Sequence, residues 1–156
     1  MVSERSVLLD LDAPMSLNDF LAVAIDRLAP VTDLAPARLL EAFHTREAES
    51  STVVKSGIAV PHVIIDGIGH AAMLLARCRG GVLFPGDEEP VHAILMLVEG
   101  IDHRFFHLQA LAALSRWAHD PKFMETWLAA GSVAELRKML LQTHRSRCTL
   151  HQTACV

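Results

Sequence analysis

Gly57-Ile58-Ala59-Val60-Pro61-His62 is the stretch on which the reading turns. It reads as a short apolar strand stopped by proline, with a histidine directly beyond the stop. A histidine held there sits at the rim of a sheet, and sheet rims commonly carry chemistry. The bland alternative is a loop histidine satisfied by backbone groups. On the C-terminal side the pattern stays strand-like. Residues 71–77 are an apolar run of strand length, and residues 91–98, bounded by Pro90 and Gly100, are the strongest strand and suit the centre of a sheet. Arg79-Gly80-Gly81 and Pro85-Gly86-Asp87 read as turns on either side of Val82-Leu83-Phe84.

Helical patterns flank this region. Leu17, Phe20, Leu21, Ala24, Ile25 and Leu28 recur at helical spacing behind a Ser16 cap, and Pro30 is expected to end the helix. A second helix starts at Asp33 or Pro36, turns Leu39, Leu40 and Phe43 inward and runs to Glu49. Helical spacing returns over residues 104–119. Asp120-Pro121 starts another helix through Ala130, and the capping box Ser132-Val133-Ala134-Glu135 opens a last one over residues 133–141. Residues 7–11 alternate as a short strand. These elements predict an α/β domain with helices layered on a mixed sheet of short strands.

The chain has 156 residues, 51% of them apolar, enough for one domain with a full core. A net charge of -4 argues against a nucleic-acid binder that lives on phosphate contacts. Cys78, Cys148 and Cys155 cannot all pair, which suits a reducing compartment. The acidic start is no signal peptide, and no apolar run reaches the ~18 residues of a membrane span. A cytoplasmic chain is expected. Nine histidines with no tyrosine make histidine the residue to follow.

His103 and His107 share a helix face but lack a third metal ligand. Arg46-Glu47-Ala48-Glu49-Ser50-Ser51-Thr52 puts a guanidinium and small hydroxyls at a helix end, donors that suit an anion; a solvated helix end explains them equally. Gly67-Ile68-Gly69-His70-Ala71-Ala72 imitates a dinucleotide loop but precedes a strand rather than a helix. His144, Cys148, His151 and Cys155 fall on one helical face, spread over about 16 Å, too far for one ion.

Taken together, Arg46-Glu47 with Ser51-Thr52, the Gly57–His62 string, Pro90-Val91 opening an apolar strand, and His107-Leu108 resemble one family. It is the enzyme IIA domain of the fructose/mannitol type of the phosphoenolpyruvate-dependent phosphotransferase system, which includes the nitrogen-regulatory IIA proteins. The resemblance covers residues 5–142 and implies a IIA-like domain over 1–142 with a C-terminal extension over 143–156. It implies the family fold, a mixed sheet with helices on both faces. It also implies that His62 accepts a phosphoryl group from the phosphocarrier histidine protein and passes it to a IIB domain or uses it for regulation. His107 and Arg46 would support His62, and Ser51 or Thr52 would donate to phosphate oxygens. No metal or other cofactor is called for, no nucleic acid is expected, and contact with a membrane transporter is peripheral at most. One departure stands out. The family usually has Thr-Gly-x-Gly-x-Gly before the string, whereas this chain has Thr52-Val53-Val54-Lys55-Ser56-Gly57. Valine resists the positive φ that glycine permits, so this loop is expected to run differently. A non-catalytic IIA-like regulatory binding module is the alternative that the altered loop raises.

Overall fold

The apolar runs around residues 71–99 pair antiparallel as β6 (Ala71–Leu83) and β7 (Val91–Glu99), and the rest of the sheet is laid on either side of them. The computed structural model describes residues 6–145; the side chains of residues 6, 103–107, 109, 110, 113, 114 and 140–145 lie outside the description. On one flank β1 (Ser6–Leu11) and β2 (Met15–Ser16) run parallel to β6. On the other flank β4 (Ile58–Ala59) and β5 (His62–Ile64) both run parallel to β7, and β3 (Val53–Lys55) closes the edge antiparallel to β4. The mixed sheet carries helices on both faces, as expected.

Period two along β7 divides the core. Ile94, Met96 and Val98 face the layer containing α1 (Leu17–Thr32) and α2 (Pro36–Glu49). Ala93, Leu95 and Leu97 face the layer containing α4 (Phe123–Ala129) and α5 (Val133–Arg145), joined by residues of α3 (Arg104–His119). With both faces covered, β7 reads as a continuous apolar run, which is why it stood out as the central strand. In the second layer the Phe123 ring stacks on Trp117 and Trp127, with centroids 5.3 and 5.6 Å away.

Four local expectations are corrected. Pro30 does not end α1, which continues to Thr32. Proline removes only its own N–H, and the Thr32 hydroxyl donates to the carbonyls of Leu28 and Ala29 in the last turn. Asp33, left-handed at φ 56°, ends the helix instead. Arg79-Gly80-Gly81 is not a turn but an irregularity inside β6, where the register against β7 shifts between Arg77 and Val82. Gly80 is needed because a Cβ there would lie 2.2 Å from the Pro14 nitrogen, where the β1–β2 link crosses. Asp120-Pro121 forms a turn ahead of α4 rather than its first residues, and α5 runs through Arg145, past residue 141. Residues 146–156, with Cys148, His151 and Cys155, lie outside the described residues.

Among the described residues no helix is long and apolar enough to cross a membrane. Cys78 is wholly buried in β6, and burial, aided by the Asp10 carboxylate, pushes its thiol up to about 12. The thiolate is the reactive form. A Cys148→Ser/Cys155→Ser variant is therefore expected to ignore a thiol reagent at about pH 8 until denaturant is added. Modification of the folded variant would contradict this.

Candidate functional site

Helix α2 brings the first site residue to the rim. Leu39 and Phe43 bury its inner face, and Arg46 follows one turn later, where a cation also suits the negative end of the helix dipole. Arg46 Nη1 donates to the Ser50 carbonyl at 3.0 Å and lies 3.3 Å from its Oγ. That leaves the other edge of the fork for a neighbour. Arg46 Nε and Nη2 both lie 3.4 Å from Nε2 of His62.

The chain reaches His62 along β7. Gly57, at φ 79°, makes the turn from β3 into β4, and its carbonyl accepts from the backbone of His92 and Ala93. Pro61 cannot donate to a ladder, so pairing breaks at Val60-Pro61 and resumes at His62. The Pro61 carbonyl accepts from Leu97 N at 2.9 Å, and His62 stands opposite Leu97 in register. His62 is thus half-buried at the start of β5, anchored on the central strand.

The ring's protonation state follows from its partners. Nδ1 lies 2.9 Å from the Val60 carbonyl oxygen, which can only accept, so Nδ1 carries the proton. Nε2 faces a guanidinium, which can only donate, so Nε2 presents its lone pair. These partners select the tautomer with its proton on Nδ1 and its lone pair on Nε2, beside a guanidinium.

The hydroxyls expected to donate to phosphate have other partners. Ser51 Oγ donates to Asp87 Oδ2 at 3.1 Å and accepts from Val53 N at 3.2 Å. Thr52 is 3% exposed, and its Oγ1 donates to Glu47 Oε2 at 2.6 Å. Both the backbone N–H and the hydroxyl of Thr52 are thus engaged by Glu47 within the loop. Helix α3 carries His107, whose side chain, like that of His103, lies outside the description.

The altered loop forms a short, irregular edge strand. Val53 and Lys55 pair with β4 across an irregularity that leaves Val54 over, and neither has a positive φ. Ser56 donates to Glu89, and Lys55 Nζ donates to the Ala118 carbonyl near the end of α3. Sequence reading could not assign the partners of Glu47, Ser50 or Asp87, because they depend on how the loop folds back. It also passed over Glu99, a buried carboxylate closing β7 opposite Ile64, on the sheet face shared by Leu97 and His62. A charge at the end of an apolar run gave no sign of being buried.

Comparisons with known proteins give the family. Residues 1–143 match the family described as "Phosphoenolpyruvate-dependent sugar phosphotransferase system, EIIA 2". The chain is 31% identical over 104 residues to the fructose-specific EIIA component of Haloferax volcanii, covering 66% of this chain and 68% of that protein. It is 26% identical over 118 residues to the fructose-specific EIIABC component of Bacillus subtilis; the match takes in 74% of this chain but only 18% of that longer protein. Among solved structures, nitrogen regulatory protein IIA-Ntr from Neisseria meningitidis superposes with a TM-score of 0.77 at 26% identity, covering 88% of this chain and 97% of that one. On the match that runs through the whole fold and both halves of the Arg46–His62 site, the chain belongs to the EIIA 2 family of the sugar phosphotransferase system.

Proposed function

We propose that this chain is a phosphoryl carrier in which Nε2 of His62 accepts a phosphoryl group from the phosphocarrier histidine protein. The observation that carries this reading is the doubly determined imidazole, with its proton on Nδ1 toward Val60 and its lone pair on Nε2 toward Arg46. In the transfer, the Nε2 lone pair forms the new N–P bond as the donor's P–N bond breaks. The electron pair of that bond returns to the donor ring nitrogen, and a donor ring protonated on its other nitrogen leaves neutral. Positive charge then develops on the His62 ring, and Nδ1–H donates more strongly to Val60. Phosphoryl transfer depends mainly on positioning and on neutralising the equatorial oxygens. Arg46 supplies that charge with its fork already held by Ser50. His107 is the second supporting residue in this reading.

The onward acceptor is a IIB domain or a regulated target protein. The Bacillus subtilis relative is an EIIABC component, and the Neisseria relative is a nitrogen regulatory protein, so both outlets have precedent among relatives. Ile64, Ile101 and Leu108 are 58%, 50% and 62% exposed on segments that follow His62, β7 and His107, and suit a protein partner. The altered loop does not favour a non-catalytic module, because the bonds around His62 form with Val53 and Lys55 in place.

The test is incubation with phosphoenolpyruvate, enzyme I and the phosphocarrier protein, followed by intact mass. One acid-labile phosphoryl group is expected, located on Nε2 by long-range nitrogen–proton NMR. No gain beside a IIA control that labels, or a label on another residue, overturns the proposal. His107→Ala is expected to slow incorporation by roughly tenfold or more with little change in melting temperature; an unchanged rate would remove His107 from the site.

A further inference from the structure

We infer that Glu47 is a positioning residue for His62, acting through Thr52 and Val60; the inference rests on the carrier reading above for its meaning in transfer. Both oxygens of the Glu47 carboxylate are used. Oε1 accepts from Thr52 N at 3.0 Å and Oε2 accepts from Thr52 Oγ1 at 2.6 Å. The second is a short, close-held bond. Thr52 is buried, so this grip fixes the turn that leaves α2. The Thr52 carbonyl then accepts from Val60 N at 2.9 Å, and the Val60 carbonyl accepts from His62 Nδ1 at 2.9 Å.

Each link constrains the next. Val60 is held on its N–H side by Thr52, and on its carbonyl side it enters Pro61, whose φ is fixed and whose own carbonyl is bound to Leu97. The Val60 carbonyl is therefore aimed before the ring arrives. Consecutive residues of one helical turn thus hold opposite nitrogens of one imidazole. Arg46 acts directly on Nε2, and Glu47 acts through two hydrogen-bonded residues on Nδ1.

The consequence is chemical. If the turn relaxes, Nδ1–H loses its acceptor and the ring can take the proton on Nε2 instead, which removes the lone pair that attacks phosphorus. The loss is greatest when positive charge develops on the ring, so it falls on kcat rather than on KM for the phosphate donor.

The test uses Glu47→Ala and Glu47→Gln in the full chain, with nitrogen-15 NMR of His62 before any phosphorylation. The wild-type ring is expected in the Nδ1–H form alone. Glu47→Ala is expected to show a mixture of tautomers and a kcat for incorporation lower by roughly tenfold to a hundredfold at unchanged KM. Glutamine can accept from Thr52 N and donate to Thr52 Oγ1, so Glu47→Gln should restore most of both signals. A folded Glu47→Ala with an unchanged His62 tautomer overturns the inference and leaves the carrier reading standing. A shifted tautomer in a chain that never labels upholds the positioning and sinks the carrier instead. If Glu47→Ala does not fold, Thr52→Val, which removes only the hydroxyl bond, decides: a smaller tautomer shift supports the inference and none overturns it.

Discussion

Alanine at position 62 is expected to abolish phosphoryl incorporation while the domain stays folded. The ring is half-buried at the rim, where it meets the Val60 carbonyl and Arg46. The backbone anchor survives, because Leu97 N donates to Pro61 and the β5 ladder needs no imidazole. Arg46 keeps its bond to Ser50. The stability cost is set at about 1 kcal/mol, the net value of one hydrogen bond, and should move the melting temperature by only ~4 °C. Intact mass after incubation with the phosphorylating proteins checks the first half and thermal unfolding the second. Continued labelling of the variant would refute the assignment of His62.

The second large effect lies far from this site. Asp10→Ala is expected to destabilise the fold by about 3 kcal/mol, lowering the melting temperature by roughly 10 °C. Asp10 and Arg77 face each other in register across β1 and β6. Arg77 Nε lies 2.8 Å from Oδ1, and Nη2 lies 2.5 Å from Oδ2. The Arg77 side chain is 0% exposed, while that of Asp10 is 26% exposed. Its remaining donor group, Nη1, serves the carbonyls of Trp127 and Ala130, tying the end of α4 to the sheet. Removing the carboxylate leaves a buried cation on carbonyl dipoles, with only the more distant charges of Asp12 and Glu135 to offset it. Adding Arg77→Met to Asp10→Ala should recover part of the loss, since the stranded charge goes with it.

The same pair sets part of the acid limit. The Arg77 hydrogen bond holds the Asp10 carboxyl below its ordinary value, against burial, which pulls the other way. The unfolded chain therefore binds this proton more readily than the folded one. The pair's contribution is complete above the unfolded value of ~3.9 and is lost as pH falls through the lower folded value. Urea midpoints measured from about pH 6 to about pH 2 should fall less steeply at the acid end in Asp10→Ala than in the wild type. Parallel curves would show that Asp10 does not report this linkage.

Much of the frame was legible because it is written in local periodicity. The apolar ladder from Leu17 to Leu28 on α1, the unbroken run of β7 and the Ser132 cap with Glu135 all appear where spacing put them. Local punctuation misled where tertiary contacts overrode it. Pro30 was absorbed because Thr32 serves the last carbonyls, and Gly80-Gly81 sits inside a strand because other chain segments press against it. Arg46 and His62 were singled out from local chemistry and given roles by the family resemblance, and the fold brings them into contact although they lie 16 positions apart. What stayed hidden has no local signature. Asp10 and Arg77 are 67 residues apart, and Glu47 reaches His62 only through a buried threonine and a backbone carbonyl.

One consequence of the short strands around Pro61 concerns kinetics. β4 and β5 both lie on β7, and only Val60 and Pro61 separate them. The backbone carrying the His62 ring is therefore anchored on each flank to the central strand, with no tether on which to swing. A carrier of this kind cannot collect its cargo at one face and deliver it at another. With His62 as the proposed acceptor, supplier and recipient would take turns on the same patch, so each would exclude the other and a surplus of either would slow the relay.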